Sequence, residues 1–195
     1  MVWVMKIDNE FKDSVTMNNM LGNYEENYRK LFKIYNSKIE DSFDRWYIIY
    51  SLALVNKKMG LIDNAKLYID ECLSILDTFD EKKYEKGCSV WLYIELYKND
   101  LSYEDTLKKY TELQEYFTCL GEDSYAYLGA VANVCILKND YIELIRVIDT
   151  CLSNRYNGKR YIEVVTNIMN DISKNNIELF NKVNEYLNKL KIKLA

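Results

Sequence analysis

The chain has 195 residues, of which 49% are hydrophobic and 29% are charged, a balance typical of globular proteins. A formal net charge of −4 excludes the broad basic surface of nucleic-acid-binding domains, so we predict no direct nucleic-acid partner. Six glycines and no proline disfavour β-sandwiches and glycine-looped nucleotide folds. No apolar run approaches the roughly 18 residues of a membrane span, and the first residues turn polar too soon for a secretory signal. We therefore expect a cytoplasmic protein without a membrane partner.

A short phrase recurs along the chain, and each copy opens an amphipathic stretch. Four copies place a polar residue three positions before an acid, and a degenerate copy lies between the first two. The copies begin at Asn23, Leu61, Ser102, Asp140 and Asn175, which gives steps of 38, 41, 38 and 35 residues. A period of this size predicts a repeat architecture. We predict that the first residue caps the second helix of each unit and that the acid completes a capping box.

Apolar residues at intervals of three and four positions follow each cap, so they lie on one face of a helix. A first helix is predicted before each of the last four caps, at 46–59, 90–97, 125–137 and 161–169. Gly22 and Gly60 are predicted to end the helices that precede them. The chain is thus predicted to be all-α, with about ten helices in five antiparallel pairs.

These pairs are predicted to stack into one domain, because a single helix pair cannot bury its apolar face alone. The connections are short, which favours antiparallel packing of neighbouring helices. We predict a single domain over 1–195, with units at about 1–38, 39–79, 80–119, 120–156 and 157–195.

Catalytic and metal-binding chemistry is disfavoured by the residues present. The chain has no histidine, which removes the commonest general base and excludes the mixed Cys/His zinc set. Its five cysteines include no Cys-x-x-Cys pair, and Cys72 and Cys151 occupy equivalent repeat positions, so we predict that these two pack in the core. Acidic clusters at 40–44 and 77–81 lie at predicted helix starts, where carboxylates favour the helix dipole. We predict no enzymatic activity, no cofactor and no metal.

Large apolar and small residues recur at equivalent places of the units, such as Leu52 and Ala53 before Gly60 and Val131 and Ala132 before Asp140. With this pattern each unit resembles the tetratricopeptide repeat (TPR), and the resemblance covers nearly the whole chain. The family pattern has large apolar and small residues in the first helix, a turn glycine, then alanine and large apolar residues. The chain departs from the pattern: the terminal proline is absent, the period exceeds 34 residues, and Asn27 and Thr106 replace the small alanine. The matching positions are Ile49, Leu52, Ala53, Ala65, Ile69, Cys72 and Leu73 around Gly60, and Leu128, Val131, Ala132, Tyr141, Leu144, Ile148 and Cys151 around Asp140. The resemblance implies a right-handed superhelical solenoid.

First helices line the inner groove of TPR proteins, and the resemblance therefore implies a peptide-binding groove. Carried over, its lining is Tyr47, Tyr50, Leu54, Lys57, Trp91, Glu95, Lys98, Asn133 and Tyr161, with Gly129, Val164 and Ile168 beside them. Aromatic residues are enriched at binding hot spots, and asparagine both donates and accepts hydrogen bonds. The alternative is that these aromatics only pack against neighbouring units. The carboxylate clamp of some TPR proteins is not reproduced, since Tyr50, Leu54, Trp91 and Glu95 occupy its places.

Three functions fit these features. The first is a protein- or peptide-binding module, and more remotely the chain resembles the repeat domain of Rap, Rgg, PlcR and arbitrium receptors, which bind short apolar signalling peptides in bacteria and phages. The second is a phage or mobile-element inhibitor that binds a host protein through an acidic outer surface. The third is a homodimeric scaffold, favoured by apolar ends that contain Trp3, Phe11, Phe180 and Leu187.

Overall fold

The computed structural model describes residues 7–76 and 83–190, and this part of the chain forms ten α-helices without a strand. The helices are α1 (Asn9–Met20), α2 (Tyr24–Tyr35), α3 (Ser42–Lys58), α4 (Ile62–Leu76), α5 (Lys83–Tyr97), α6 (Tyr103–Phe117), α7 (Tyr125–Lys138), α8 (Tyr141–Ser153), α9 (Lys159–Asn175) and α10 (Ile177–Lys189). The predicted all-α architecture of paired helices is confirmed. Trp3 and the acidic cluster at 77–81 lie outside the described residues.

The chain divides into two compact units, Met1–Leu101 and Ser102–Ala195. In the first unit, α3 packs against α2 and α4, and α4 packs against α5. Its core has two clusters, one built around Leu31, Leu52 and Val55 and one around Trp46 and Ile69. The second unit packs α6 against α7 and α8 against both α7 and α9, over a core that includes Leu144 and Val165. The proposed five-unit division of a single domain stays a prediction.

The turns inside three helix pairs share one hydrogen-bond pattern. Gly22 and Gly60 both have φ +77°, as their predicted role at helix ends requires. The N–H of Gly60 donates to Lys57 O (3.1 Å) and that of Leu61 to Asn56 O (2.9 Å), which is a Schellman motif. Asn139 takes the same position in α7 with φ 55°, since asparagine tolerates the left-handed region better than most residues.

The predicted caps are confirmed most clearly in the second unit. The side chains of Ser102 and Asp140 accept hydrogen bonds from the backbone N–H three residues later, at 3.1 Å each. Asn23 occupies the cap position of α2 but makes no side-chain capping bond. The last cap is Asn176, so the prediction of Asn175 was wrong by one residue. The Asn176 N–H closes α9 on Ile172 O (2.8 Å) while its side chain accepts from Leu179 N (3.1 Å).

The last helix ends the second unit with a polar outer face. Leu187 is buried and Phe180 is half-buried against the core, so these two residues leave little apolar surface exposed. On the outer face, Lys182 pairs with Glu178 at 2.7 Å, and Lys189 pairs with Glu185 two turns further on with the same spacing. This is the arrangement expected of a helix face that is exposed to water. None of the described helices combines the length and apolarity that a membrane span needs.

Three cysteines are buried in the cores, which confirms the packing predicted for Cys72 and Cys151 and adds Cys135. Burial raises the pKa of each of these thiols to about 12. At pH 8 a thiol with pKa 12 has roughly 1000-fold less reactive thiolate than one with pKa 9. We expect a thiol reagent to modify exposed Cys119 in the native chain and to leave the three buried cysteines unmodified until urea unfolds it. Mass spectrometry of digested samples measures this, and equal native labelling of Cys72 and Cys119 would contradict it.

Candidate functional site

Four of the predicted groove residues lie along one face of α3. Tyr47, Tyr50, Leu54 and Lys57 follow each other at intervals of three or four residues, and all four are half-buried. Below them, Ile48, Ile49, Leu52 and Ala53 are fully buried in the first unit. This core holds the inner side of α3 in place. We call the half-buried face from Tyr47 to Lys57, which is mostly apolar, the α3 strip.

The structure brings Lys57, Trp91 and Glu95 together where α3 faces α5. The Lys57 ammonium lies 5.2 Å from the centroid of the Trp91 ring and 3.1 Å from a Glu95 carboxylate oxygen. Trp91 is 42% exposed, although it lies in a helix whose neighbouring residues Val90 and Leu92 are buried. This Lys57 site, defined as Lys57, Trp91 and Glu95, combines an exposed aromatic surface with one cation and one anion. Lys98 is exposed directly after α5 ends.

A similar arrangement joins α1 to α3 and was not predicted from the sequence. The Lys12 ammonium lies 5.2 Å from the Phe43 ring centroid, 5.3 Å from the Tyr47 ring centroid and 3.1 Å from an Asp44 carboxylate oxygen. Burial raises the pKa of Tyr47. The sequence does contain a signal for this contact. Lys12 and Tyr47 are 35 residues apart, close to the 34 residues that separate Lys57 from Trp91. Contacts between successive repeats thus recur at about the repeat period.

Tyr50 lies deeper than the groove prediction implies. Its ring stacks on Trp46, with centroids 5.3 Å apart and planes 17° apart. Burial raises the pKa of the Tyr50 hydroxyl, and the ring belongs to the packed surroundings of the core that contains Trp46. Tyr50 therefore belongs to the packed edge of the core, and Trp91 is the more exposed of the two aromatic residues.

The two remaining predicted residues, Asn133 and Tyr161, lie in the second unit. Asn133 is half-buried, and its side-chain N–H donates to Gly129 O one turn earlier at 2.8 Å. Tyr161 packs edge-on against Tyr125 with ring centroids 6.2 Å apart. Arg160 also contacts Tyr125, with a hydrogen bond to its hydroxyl of 2.8 Å. This α7–α9 face is a separate aromatic surface of its own unit.

The acidic cluster at 40–44 has structural roles. The Asp41 side chain accepts a hydrogen bond from Asp44 N (2.8 Å) and so caps α3, and Glu40 pairs with Lys38 at 3.0 Å. Across residues 7–76 and 83–190, no group of three or more cysteines and acids is placed to hold a metal ion. A surface cleft of about 320 Å³ lies between α8 and α10, lined by Tyr141, Lys182, Glu185, Tyr186 and Lys189. Its lysines and Glu185 are engaged in ion pairs along α10.

The similarity of this chain to known proteins lies in its fold. No family model and no curated protein matches the chain. BtubC (BKLC) from P. vanneervenii is similar in structure, with a TM-score of 0.66 and 17% identity over 93% of this chain and 79% of that one. Two crystal structures of a putative kinesin light chain from Podosopora anserina, described as having nearly identical TPR-like repeats, give TM-scores of 0.62 and 0.61. Each is 10% identical, and the matches cover 92% and 93% of this chain and 93% and 95% of theirs.

The fold is TPR-like. At these identities the likeness establishes the helical-repeat fold alone, and it confirms the resemblance to the TPR fold that was drawn from the residues of the units. In this TPR-like chain, α1, α3 and α5 are the first helices of successive pairs in the first unit. The Lys57 site therefore lies between the first helices of two neighbouring repeats.

Proposed function

We propose that this TPR-like chain is a non-enzymatic module that binds a protein segment or a short apolar peptide along the α3–α5 face of its first unit. The observation that carries the proposal is the exposure of Trp91, at 42%, beside the half-buried apolar strip of α3. Tryptophan is among the residues most enriched at binding hot spots, especially where neighbouring residues exclude water. Tyr47, Tyr50 and Leu54 supply such neighbours.

The finer form of this proposal is a receptor for a short apolar signalling peptide, acting as a cytoplasmic regulator in a bacterium or phage. It is supported by the apolar strip of α3, which runs about 15 Å from Tyr47 to Lys57 at 1.5 Å per helical residue. An extended peptide of about four or five residues spans that distance at about 3.3 Å per residue.

A screen of a random peptide library against the full chain tests the proposal. We expect it to recover apolar sequences, and we expect Trp91→Ala to weaken their binding by about tenfold or more, because loss of a hot-spot residue commonly costs above about 1.4 kcal/mol. Isothermal titration calorimetry measures the change.

Ile142→Ala is the matched control, because Ile142 is 82% exposed and lies in the second unit. Circular dichroism confirms that both variants keep their helices. Selected peptides that bind wild type and Trp91→Ala equally well would refute the α3–α5 face as the binding surface.

A further inference from the structure

We infer that the Lys57 site recognises an arginine side chain of the bound segment and that Lys57 occupies the place of that side chain in the free protein. This inference rests on the proposed function and names the chemistry of its ligand. The inference is based on the position of the Lys57 ammonium, which lies 5.2 Å from the Trp91 ring centroid and 3.1 Å from a Glu95 carboxylate oxygen. A ring face and a carboxylate that together hold one cation present the groups that another cation needs.

Lys57 is held only weakly in this place. Its side chain is 26% exposed and that of Glu95 is 38% exposed, so water screens the ion pair. Ion pairs at such positions contribute little net stability, because holding two long side chains in one geometry offsets the attraction. An incoming cation therefore displaces Lys57 at small cost, and the released ammonium is hydrated on the surface.

Arginine fits the site better than lysine does. Its guanidinium is planar, so it stacks flat on an indole ring, and its fork of N–H donors makes two parallel hydrogen bonds to one carboxylate. The Lys57 ammonium is a point donor that reaches one Glu95 oxygen. A guanidinium is also less strongly hydrated than an ammonium, which lowers the cost of bringing it to the half-buried face.

The Lys57 site has no net charge of its own, because Lys57 is neutralised by Glu95. The Lys12 arrangement repeats the same design one repeat earlier, with an internal cation held by two rings and Asp44. Recognition of an acidic segment by Lys57 would instead require the lysine to leave Glu95 unpaired.

The test uses a capped pentapeptide, acetyl-Gly-Leu-Arg-Leu-Gly-amide, and versions with lysine, citrulline or glutamate at the centre. Each is titrated into the ¹⁵N-labelled full chain while the indole N–H resonance of Trp91 is followed. We expect affinity to fall from arginine to lysine to citrulline, with about fivefold between arginine and its neutral isostere citrulline, the size of an exposed cation–π contact. The glutamate version is expected to bind weakest.

Variants of the protein show whether Lys57 competes with the arginine of the peptide. Lys57→Gln removes the internal cation, so it is expected to strengthen binding of the arginine peptide by about two- to fivefold, whereas Glu95→Gln is expected to weaken it by about fivefold. Lys58→Gln is the matched control, because Lys58 is an exposed neighbour with the same charge and is expected to change little.

Weaker arginine-peptide binding in Lys57→Gln, or preference for the glutamate peptide, overturns the inference. If library peptides need Trp91 but none of the arginine, lysine and citrulline forms is preferred, the arginine site is wrong and the proposed function stands. If library peptides bind independently of Trp91, both fail.

Discussion

Replacing Trp46 by alanine is expected to lower the free energy of unfolding by about 3–5 kcal/mol, the usual cost of truncating a large buried aromatic side chain. Trp46 is 6% exposed and stacks on Tyr50 in the core of the first unit. Its indole N–H donates to the Ser89 hydroxyl at 3.0 Å, and the Cys72 sulfur lies 3.5 Å from the same oxygen. The variant therefore leaves a cavity and removes a buried link between α3, α4 and α5. Urea unfolding followed by circular dichroism measures the loss.

Trp91→Ala is the matched control, since it removes the same side chain from an exposed position on the neighbouring first helix. It is expected to cost about 1 kcal/mol or less, because exposed cation–π contacts are weak. Trp46→Phe keeps most of the ring but removes the N–H, and it is expected to cost less than Trp46→Ala. Similar losses for Trp46→Ala and Trp91→Ala would show that the core assignment of Trp46 is wrong.

The two tryptophans also show why the fold was more predictable than the site. Helix starts at Ser102 and Asp140 depend on a capping residue and its next three neighbours, so a short sequence window contains the needed information. Exposure depends on which neighbouring helix covers a side chain. Trp46 and Trp91 both lie in first helices with apolar neighbours, yet Trp46 is buried against Ser89 of α5 while Trp91 stays partly exposed.

Local sequence patterns also failed to predict where some helices begin and end. Apolar spacing predicted that the helix before the third cap begins at Val90, but α5 already includes Lys83, because charged residues extend a helix without marking its buried face. Likewise α9 continues to Asn175, six residues beyond the predicted end at Met169. The Lys57 site combines residues one repeat period apart. The resemblance to the TPR family implied a groove position for all three, but it did not predict their ion pair.

Asn27→Asp is expected to destabilise the chain by about 3–5 kcal/mol near neutral pH, because it buries a charge without a partner. Asn27 is fully buried at the repeat position where the family pattern has alanine. Its side-chain N–H groups donate to Val15 O at 2.7 Å and to Asn19 Oδ1 at 2.9 Å, which ties α2 to α1. A carboxylate in this place would face two acceptor oxygens and repel both.

The pH dependence distinguishes this cause from a simple loss of packing. Burial raises the pKa of the introduced carboxyl above its value of about 3.9 in the unfolded chain, so folding favours the protonated form. The destabilisation of Asn27→Asp relative to wild type is therefore expected to be smallest near pH 4, where a protonated carboxyl donates one hydrogen bond, and to grow as pH rises. Asn27→Leu has no titrating group, so its deficit should be independent of pH. A pH-independent deficit for Asn27→Asp would contradict the hydrogen-bond directions at this site. Urea unfolding of the three proteins between pH 4 and pH 8 decides between the two causes.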